Sequence, residues 1–242
     1  MASPPAASTA AANNLGRNLT YGLQEVIGRA IVVGEYATGK PFPTEADLAR
    51  QHGVSRSVTR EAMKMLAAKG LLGARPRQGT FVQPDDQWNL FDTDVLRWIL
   101  ERKLSVKTLR QFNELRIGVE PRAAALAAQR ARPSQVAAIA AGLQRMRDAE
   151  RGQDDTLSAD IEFHVAVLRA SGNPFYVQFR DIVSTALRTS IRFTNRIAGR
   201  SASIDDHAMV HSAIASGQAQ AAHDAMYKLI DDVLDLIGNA AE

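Results

Sequence analysis

The sequence contains no cysteine at all. Disulfide scaffolds, thiolate zinc sites and cysteine nucleophiles are therefore excluded, and the lack fits a reducing compartment such as the cytoplasm. No uninterrupted apolar run approaches the roughly 20 residues that a bilayer span demands, so no membrane segment is expected. Residues 1–14 are dominated by Ala, Ser, Pro and Asn, with no basic residue and no apolar stretch. No secretory signal is read there, and a disordered tail is expected. What is present is core material: 45% of the 242 residues are hydrophobic and 23% are charged. That suffices for one or two domains and is too apolar for a chain disordered throughout.

The net charge of +3 hides an asymmetry: residues 1–84 carry 10 Lys/Arg against 5 Asp/Glu, and the remainder carries 19 against 21. A basic front module on a slightly acidic larger one points to a polyanion as the partner of the front end. The front also reads as a compact series of helices. Leu19, Leu23, Val26, Ile27 and Ala30 mark one face of a first helix. Glycines and prolines between Gly34 and Pro43 interrupt it. Thr44 with Asp47 opens a second helix through His52. After Gly53, Ser55 caps a third helix to about Lys69, with Val58, Ala62 and Leu66 facing inward. Extended segments Leu71–Ala74 and Thr80–Gln83, joined by the basic tip Arg75-Pro76-Arg77-Gln78-Gly79, predict a hairpin. Three helices followed by a basic hairpin make a winged helix-turn-helix.

With Val58 and Ala62 inward, Arg56, Ser57 and Arg60 project to the opposite side at the start of the third helix, the end of a recognition helix that meets base edges. An arginine there can donate two hydrogen bonds to one guanine. Thr44, Arg50 and Ser55 suit phosphate contacts, which fix register without reading sequence.

Beyond Pro84–Asn89 the pattern is helical throughout, over about 90–102, 105–131, 134–151, 157–171, 174–196, 204–216 and 218–238, with Ser105, Ser134 and Thr156 as expected N-caps and a kink expected at Pro121. The fold class is mainly α: an N-terminal winged helix-turn-helix with a small β-hairpin wing, and a C-terminal all-α helical bundle. The expected divisions are a tail over 1–14, a DNA-binding domain over 15–84, a linker and first helix over 85–104, and the bundle over 105–242. Both tryptophans, Trp88 and Trp98, fall in the linker and its helix.

In the bundle, Asp160 and His164 stand four apart on one helix, and His207 and His211 repeat the spacing on another. Oxygen and imidazole donors converging from separate helices suit a divalent transition metal, although such pairs also occur on solvated helices. His52 and His223 have no such partner. Arg116, beside an apolar run, needs a partner of its own. Either Glu120, four residues on, provides it, or Arg116 grips the carboxylate of a small ligand.

These stretches together resemble the GntR superfamily of bacterial transcription factors, in the FadR-type branch with the all-helical FCD ligand-binding domain. The resemblance rests on Pro43-Thr44-Glu45, on Gly53-Val54-Ser55-Arg56-Ser57-Val58-Thr59-Arg60-Glu61-Ala62, on Gly70-Leu71 and on Gln78-Gly79-Thr80-Phe81-Val82. In the bundle it rests on Asp160-x-x-x-His164 and on Asp206-His207 with Ala213-Ile214. It implies that Arg56, Arg60, Gln78 and Gly79 meet DNA, and that Asp160, His164 and His207 hold one divalent ion, zinc first, with nickel or manganese as alternatives. It further implies that Arg116 lies near the carboxylate of an effector, and the linker around Trp88 is similar to that of regulators answering to sugar acids. A homodimeric repressor is expected, released by that acid from double-stranded operator DNA. Two positions depart from the family pattern. Leu229 stands where a third histidine is usual, leaving His211 as the residue that could compensate, and Ala46 stands where some relatives carry a DNA-contacting arginine. The rival readings are a metal-sensing regulator without an organic ligand and a metal-dependent enzyme, against which no further well-placed general base is seen.

Overall fold

A computed structural model describes residues 7–77, 79–102, 106–188 and 203–239. The chain divides into two compact units, Met1–Arg102 and Lys103–Glu242.

In the first unit, helix α1 (Ala7–Val33) begins inside the stretch whose composition predicted a tail. Alanine is the strongest helix former, and Ala7 and Ala10–Ala12 extend the helix upstream. Its buried face runs through Leu23, Ile27, Ile31 and Val32, whereas Leu19 and Val26, expected on that face, are half exposed. A step of four along Leu23, Ile27 and Ile31 sets the stripe, and Val26 lies too far round the helix to join it. Helix α2 (Glu45–His52) opens with a capping box. Asp47 N–H donates to Thr44 Oγ1, and the Thr44 N–H and hydroxyl both donate back to the Asp47 carboxylate. Helix α3 (Arg56–Ala68) is capped by Ser55, whose Oγ accepts from the Val58 N–H, and it buries Thr59, Ala62 and Leu66.

Strands β1 (Leu72–Arg75) and β2 (Gly79–Val82) pair antiparallel, Leu72 opposite Val82 and Arg75 opposite Gly79. Each strand lies within one residue of its expected position. Isolated bridges from Thr38 to Val82 and from Pro41 to Phe81 tie the loop before α2 to the same hairpin. Helix α4 (Thr93–Arg102) belongs to this unit: Val95, Trp98 and the preceding Trp88 share one core with Leu23, Ile27, Leu66 and Leu71. Both tryptophans are thus interior residues of the front unit. Trp88 Nε1 donates to the Gln83 carbonyl, and Trp98 Nε1 to Glu25.

The described residues of the second unit are all helix and connecting turn, as the periodicity predicts. Helix α5 (Val106–Arg130) runs through Pro121 as one helix, packed against α7 (Thr156–Ala170) and α11 (Ala219–Asn239). Helix α6 (Pro133–Glu150) starts at Pro133, a residue suited to the first helical position. Ser134 is therefore inside α6, and at α7 it is Asp155, not Thr156, that caps the helix by accepting from the Ser158 N–H. Ser105 lies outside the described residues. The helix expected over 174–196 is interrupted: α8 (Pro174–Gln178) ends at Phe179, and α9 occupies 180–188, beyond which 189–202 lie outside the described residues. Helix α10 (Ile204–Ala215) is capped by Ser203.

Small residues bring these helices close. Ala123, Ala124 and Ala127 of α5 are fully buried. A methyl group on Gly142 of α6 would meet Phe163 Cα of α7 at 3.0 Å, so glycine sets that spacing. The core between them is built from Ile139, Leu143, Phe163, Val167, Val210, Ile214, Met226 and Ile230.

Candidate metal centre and DNA-reading face

The inward stripe of α7 carries two polar residues into the core. Asp160 and His164 are 3% and 1% exposed, and His207 of α10 is 2% exposed. One donor atom from each lies within 4.8 Å of the others. Phe163 packs edge-on against both imidazoles, with ring centroids 5.8 Å from His164 and 4.9 Å from His207.

The hydrogen bonds around the rings decide which atoms face inward. His207 Nδ1 lies 2.6 Å from the Ser203 carbonyl oxygen, which can only accept. Nδ1 therefore carries the proton, and in the neutral ring Nε2 is a bare lone pair. That Nε2 stands 2.9 Å from Asp160 Oδ1, yet neither atom has a hydrogen-bond partner. Two buried acceptors held 2.9 Å apart call for positive charge between them, whether a second proton on the ring or a metal ion. His164 is arranged in the same way: its Nδ1 is 2.5 Å from Glu120 Oε2, which leaves Nε2 facing Asp160 Oδ1 at 3.8 Å. Carboxylate oxygen and two imidazole nitrogens form a donor set that fits a divalent transition ion, and Glu120 and the Ser203 carbonyl bond to the outer nitrogens of His164 and His207.

Burial pushes the Asp160 carboxyl up, but His207, donating from Nε2 when its ring is protonated, with His164 and Arg116 beside it, outweighs that and holds it below the usual carboxylate range. Glu120 behaves alike: burial raises it, while Arg116 and His164 hold it down at about 2. Both acids are therefore anionic at neutral pH.

Arg116 is 3% exposed and has a protein partner. Its Nε donates to Glu120 Oε1 at 2.5 Å, Nη2 to Glu120 Oε2 at 3.4 Å, and Nη1 to Asn113 Oδ1 at 3.1 Å. Nη2 also lies 3.3 Å from both ring nitrogens of His164. A point in the ring plane at that distance from both would overlap the carbon between them, so Nη2 lies out of the plane, over the ring face. Of the two partners weighed for Arg116, Glu120 is the one in place.

Sequence reasoning missed Asn113 and the bond from His164 to Glu120. The signal was available: Asn113, Arg116 and Glu120 fall at three- and four-residue steps, on one face of an otherwise apolar helix. Leu229 is buried within the apolar core. His211 is not among the converging donors, and burial with Arg147 nearby lowers its imidazole pKa. His223 pairs with Asp224 on the surface, while His52 is half-buried with its Nε2 unpartnered.

On the first unit, Ser55, Arg56, Ser57 and Arg60 all lie exposed at the start of α3. Arg60 Nε reaches Glu45 at 3.3 Å, and Arg50 pairs with Asp47. Among the described residues, no hydrogen bond or ion pair engages Arg56. The Thr44 and Ser55 hydroxyls both act as caps, and Ser55 Oγ also lies 2.9 Å from Ser57 Oγ. At the hairpin, Arg75 stacks on Phe81 at 4.4 Å, and Arg77 and Gly79 both take positive φ. Gln78 lies outside the described residues.

Comparison with known proteins matches two family descriptions, "Bacterial regulatory proteins, gntR family" over residues 22–82 and "FCD domain" over residues 111–232. The galactonate operon transcriptional repressor of Escherichia coli K12 is 34% identical over 215 residues, covering 88% of this chain and 94% of that protein. An uncharacterized regulator of the helix-turn-helix type from the same strain, YieP, is 33% identical over 220 residues, covering 88% and 93%. Among solved structures, E. coli McbR/YncC shares the fold with a TM-score of 0.53 at 16% identity, covering 93% of this chain and 99% of that one.

Proposed function

The chain belongs to the GntR family of bacterial regulatory proteins and carries an FCD domain, and on that premise we propose that it represses genes of sugar-acid catabolism until a carboxylate effector releases it from its operator. At the coarser level it is a DNA-binding transcriptional regulator, a class to which its relatives belong and enzymes do not. Among the described residues no helix is long and apolar enough to cross a membrane.

In this reading Arg56, with Ser57 and Arg60 beside it, reads base edges, and Arg50 and the wing tip at Gln78 and Gly79 hold the backbone. A homodimer would place two such helices on a palindromic site. In the second unit, Asp160, His164 and His207 would hold one zinc ion, or nickel or manganese in its place. When bound, the ion supplies concentrated positive charge in a dry interior. The observation that carries the effector class is the charge of the surroundings. Asp160 and Glu120 are anionic and Arg116 is cationic, all three within the core. A divalent ion would leave that group one positive charge in excess, which a single carboxylate balances. The galactonate operon repressor supports a sugar acid as its source.

The test is an anisotropy titration of the full chain on the DNA upstream of its own gene. Release by galactonate or gluconate, dependent on added zinc and abolished by chelation, is the expected result. Release by zinc alone would make the protein a metal sensor. No response to either acid by the zinc-loaded protein would refute the sugar-acid reading.

A further inference from the structure

Helix α5 contributes no atom to the converging donor set, yet it buries three polar residues beside it. Asn113, Arg116 and Glu120 are 0%, 3% and 1% exposed. Burying such groups confers little net stability, because well-packed apolar residues of similar volume serve as well or better. Their geometry gives them a different use. Asn113 Nδ2 donates to the Leu109 carbonyl at 2.8 Å, which turns its Oδ1 toward Arg116 Nη1. Arg116 then holds both oxygens of Glu120, and Glu120 accepts from His164 Nδ1. Each member fixes the orientation of the next, and the series ends on an imidazole whose other nitrogen faces Asp160.

We propose that Glu120 is a positioning residue for the metal centre and that Arg116 acts through it. Glu120 holds the proton of His164 on Nδ1 and so keeps Nε2 bare for a divalent transition ion. Without that acceptor, the neutral imidazole can move its proton to Nε2 and donate to Asp160 Oδ1, which consumes two of the three donors at once. Arg116 on this view supports the acceptor from behind. The inference rests on the metal reading above and is independent of which acid, if any, the protein senses.

The experiment measures zinc affinity of the full chain by competition with a chromophoric chelator, in wild type, Glu120→Met, Glu120→Gln, Arg116→Met and the Arg116→Met/Glu120→Met pair. Zinc should bind Glu120→Met about 10- to 100-fold more weakly than wild type, the range for losing an outer-shell partner. Glu120→Gln keeps an oxygen acceptor for Nδ1 and should stay within about threefold of wild type. The paired variant should be no weaker than Glu120→Met alone, because Arg116 works through the residue already removed. In nitrogen-15 spectra of the zinc-free proteins, His164 should carry its proton on Nδ1 in wild type and Glu120→Gln, and on Nε2 in Glu120→Met. Wild-type affinity in Glu120→Met would overturn the inference, as would equal weakness in Gln and Met or strictly additive losses in the pair. Failure of wild type itself to bind zinc would instead overturn the metal reading on which it stands.

Discussion

The buried pair of Arg116 and Glu120 permits a stability prediction in which a second substitution repairs the first. Their side chains are 3% and 1% exposed and bonded at 2.5 Å, so neither charge has water to fall back on. Arg116→Met leaves the buried Glu120 carboxylate without its cation and with only the His164 Nδ1 contact, and breaking a buried pair from one side costs about 3–5 kcal/mol. Adding Glu120→Met removes that stranded charge. The pair leaves His164 Nδ1, its proton moved to Nε2, and Asn113 Oδ1 as unpartnered acceptors, at roughly 1–3 kcal/mol each, and offsets much of this with about 1.5–3 kcal/mol per buried methionine. The pair should therefore be more stable than Arg116→Met alone, by roughly 2 kcal/mol, and within about 3 kcal/mol of wild type. Urea unfolding in excess chelator, followed by circular dichroism at 222 nm, measures both differences. A paired variant less stable than Arg116→Met would refute the reasoning, because it would mean that the His164 contact alone sustains the buried Glu120 charge.

Arg56→Ala should cost about 1–3 kcal/mol of operator affinity and relax preference at one base of each half-site, whereas Arg50→Ala should weaken all sequences alike and flatten the salt dependence. Equal operator affinity in Arg56→Ala would remove α3 from the reading role. Gly28→Ala tests the packing of α4: the new methyl group would lie 2.4 Å from two ring carbons of Trp98, so despite a gain of about 1 kcal/mol in helix propensity the variant should be destabilised by about 1–3 kcal/mol and shift the Trp98 emission. Stability equal to or above wild type would mean that α4 does not lie on α1. Glu25 bears on acid stability. Hydrogen bonding from Arg97, against the opposing effect of burial and joined by Arg29 and Trp98, lowers it from 4.5 to about 2. A carboxyl lowered in the folded state contributes stability that is present above about pH 4.5 and lost as the pH falls toward 2. Glu25→Gln should therefore be destabilised at neutral pH and converge on wild type near pH 2, and a constant difference across that range would refute the assignment.

The front unit was the more legible in sequence because its signals are local. Thr44 with Asp47, Ser55 before a helical stripe, and Gly79 at the wing each act within a few residues, and the ends of α2, α3 and both strands fell within one or two positions of expectation. The errors arose where a longer-range contact decided. Val26 shares the apolar spacing of α1, but the core that selects among those residues is made by α3, α4 and the hairpin. Trp88 and Trp98 lie in a stretch of sequence that looks like a connection, but the packing of α4 on α1 puts Trp98 in the core, and Trp88 joins the same core ahead of α4. Thr156 offers the same capping chemistry as Asp155 beside it, and only backbone geometry separates the two.

In the second unit the spacing of Asp160 and His164 was visible, but convergence with His207 depends on how α7 and α10 meet, which no local pattern encodes. Arg116 shows how the two kinds of information combine. From sequence it had two candidate partners, an acid four residues away on its own helix and a carboxylate from outside. The structure puts the internal acid in place and gives it a second contact, on His164, 44 positions along the chain. That second contact converts a helix-surface ion pair into part of the donor set's support. Under the proposed function, a carboxylate effector would be better received at an ion held by Asp160, His164 and His207, where positive charge would be unmatched, than at a guanidinium already neutralised by Glu120. Arg116→Met should consequently impair the response to acid by weakening zinc, and saturating zinc should restore that response in the variant. A deficit that persists at saturating zinc would return Arg116 to direct contact with the acid.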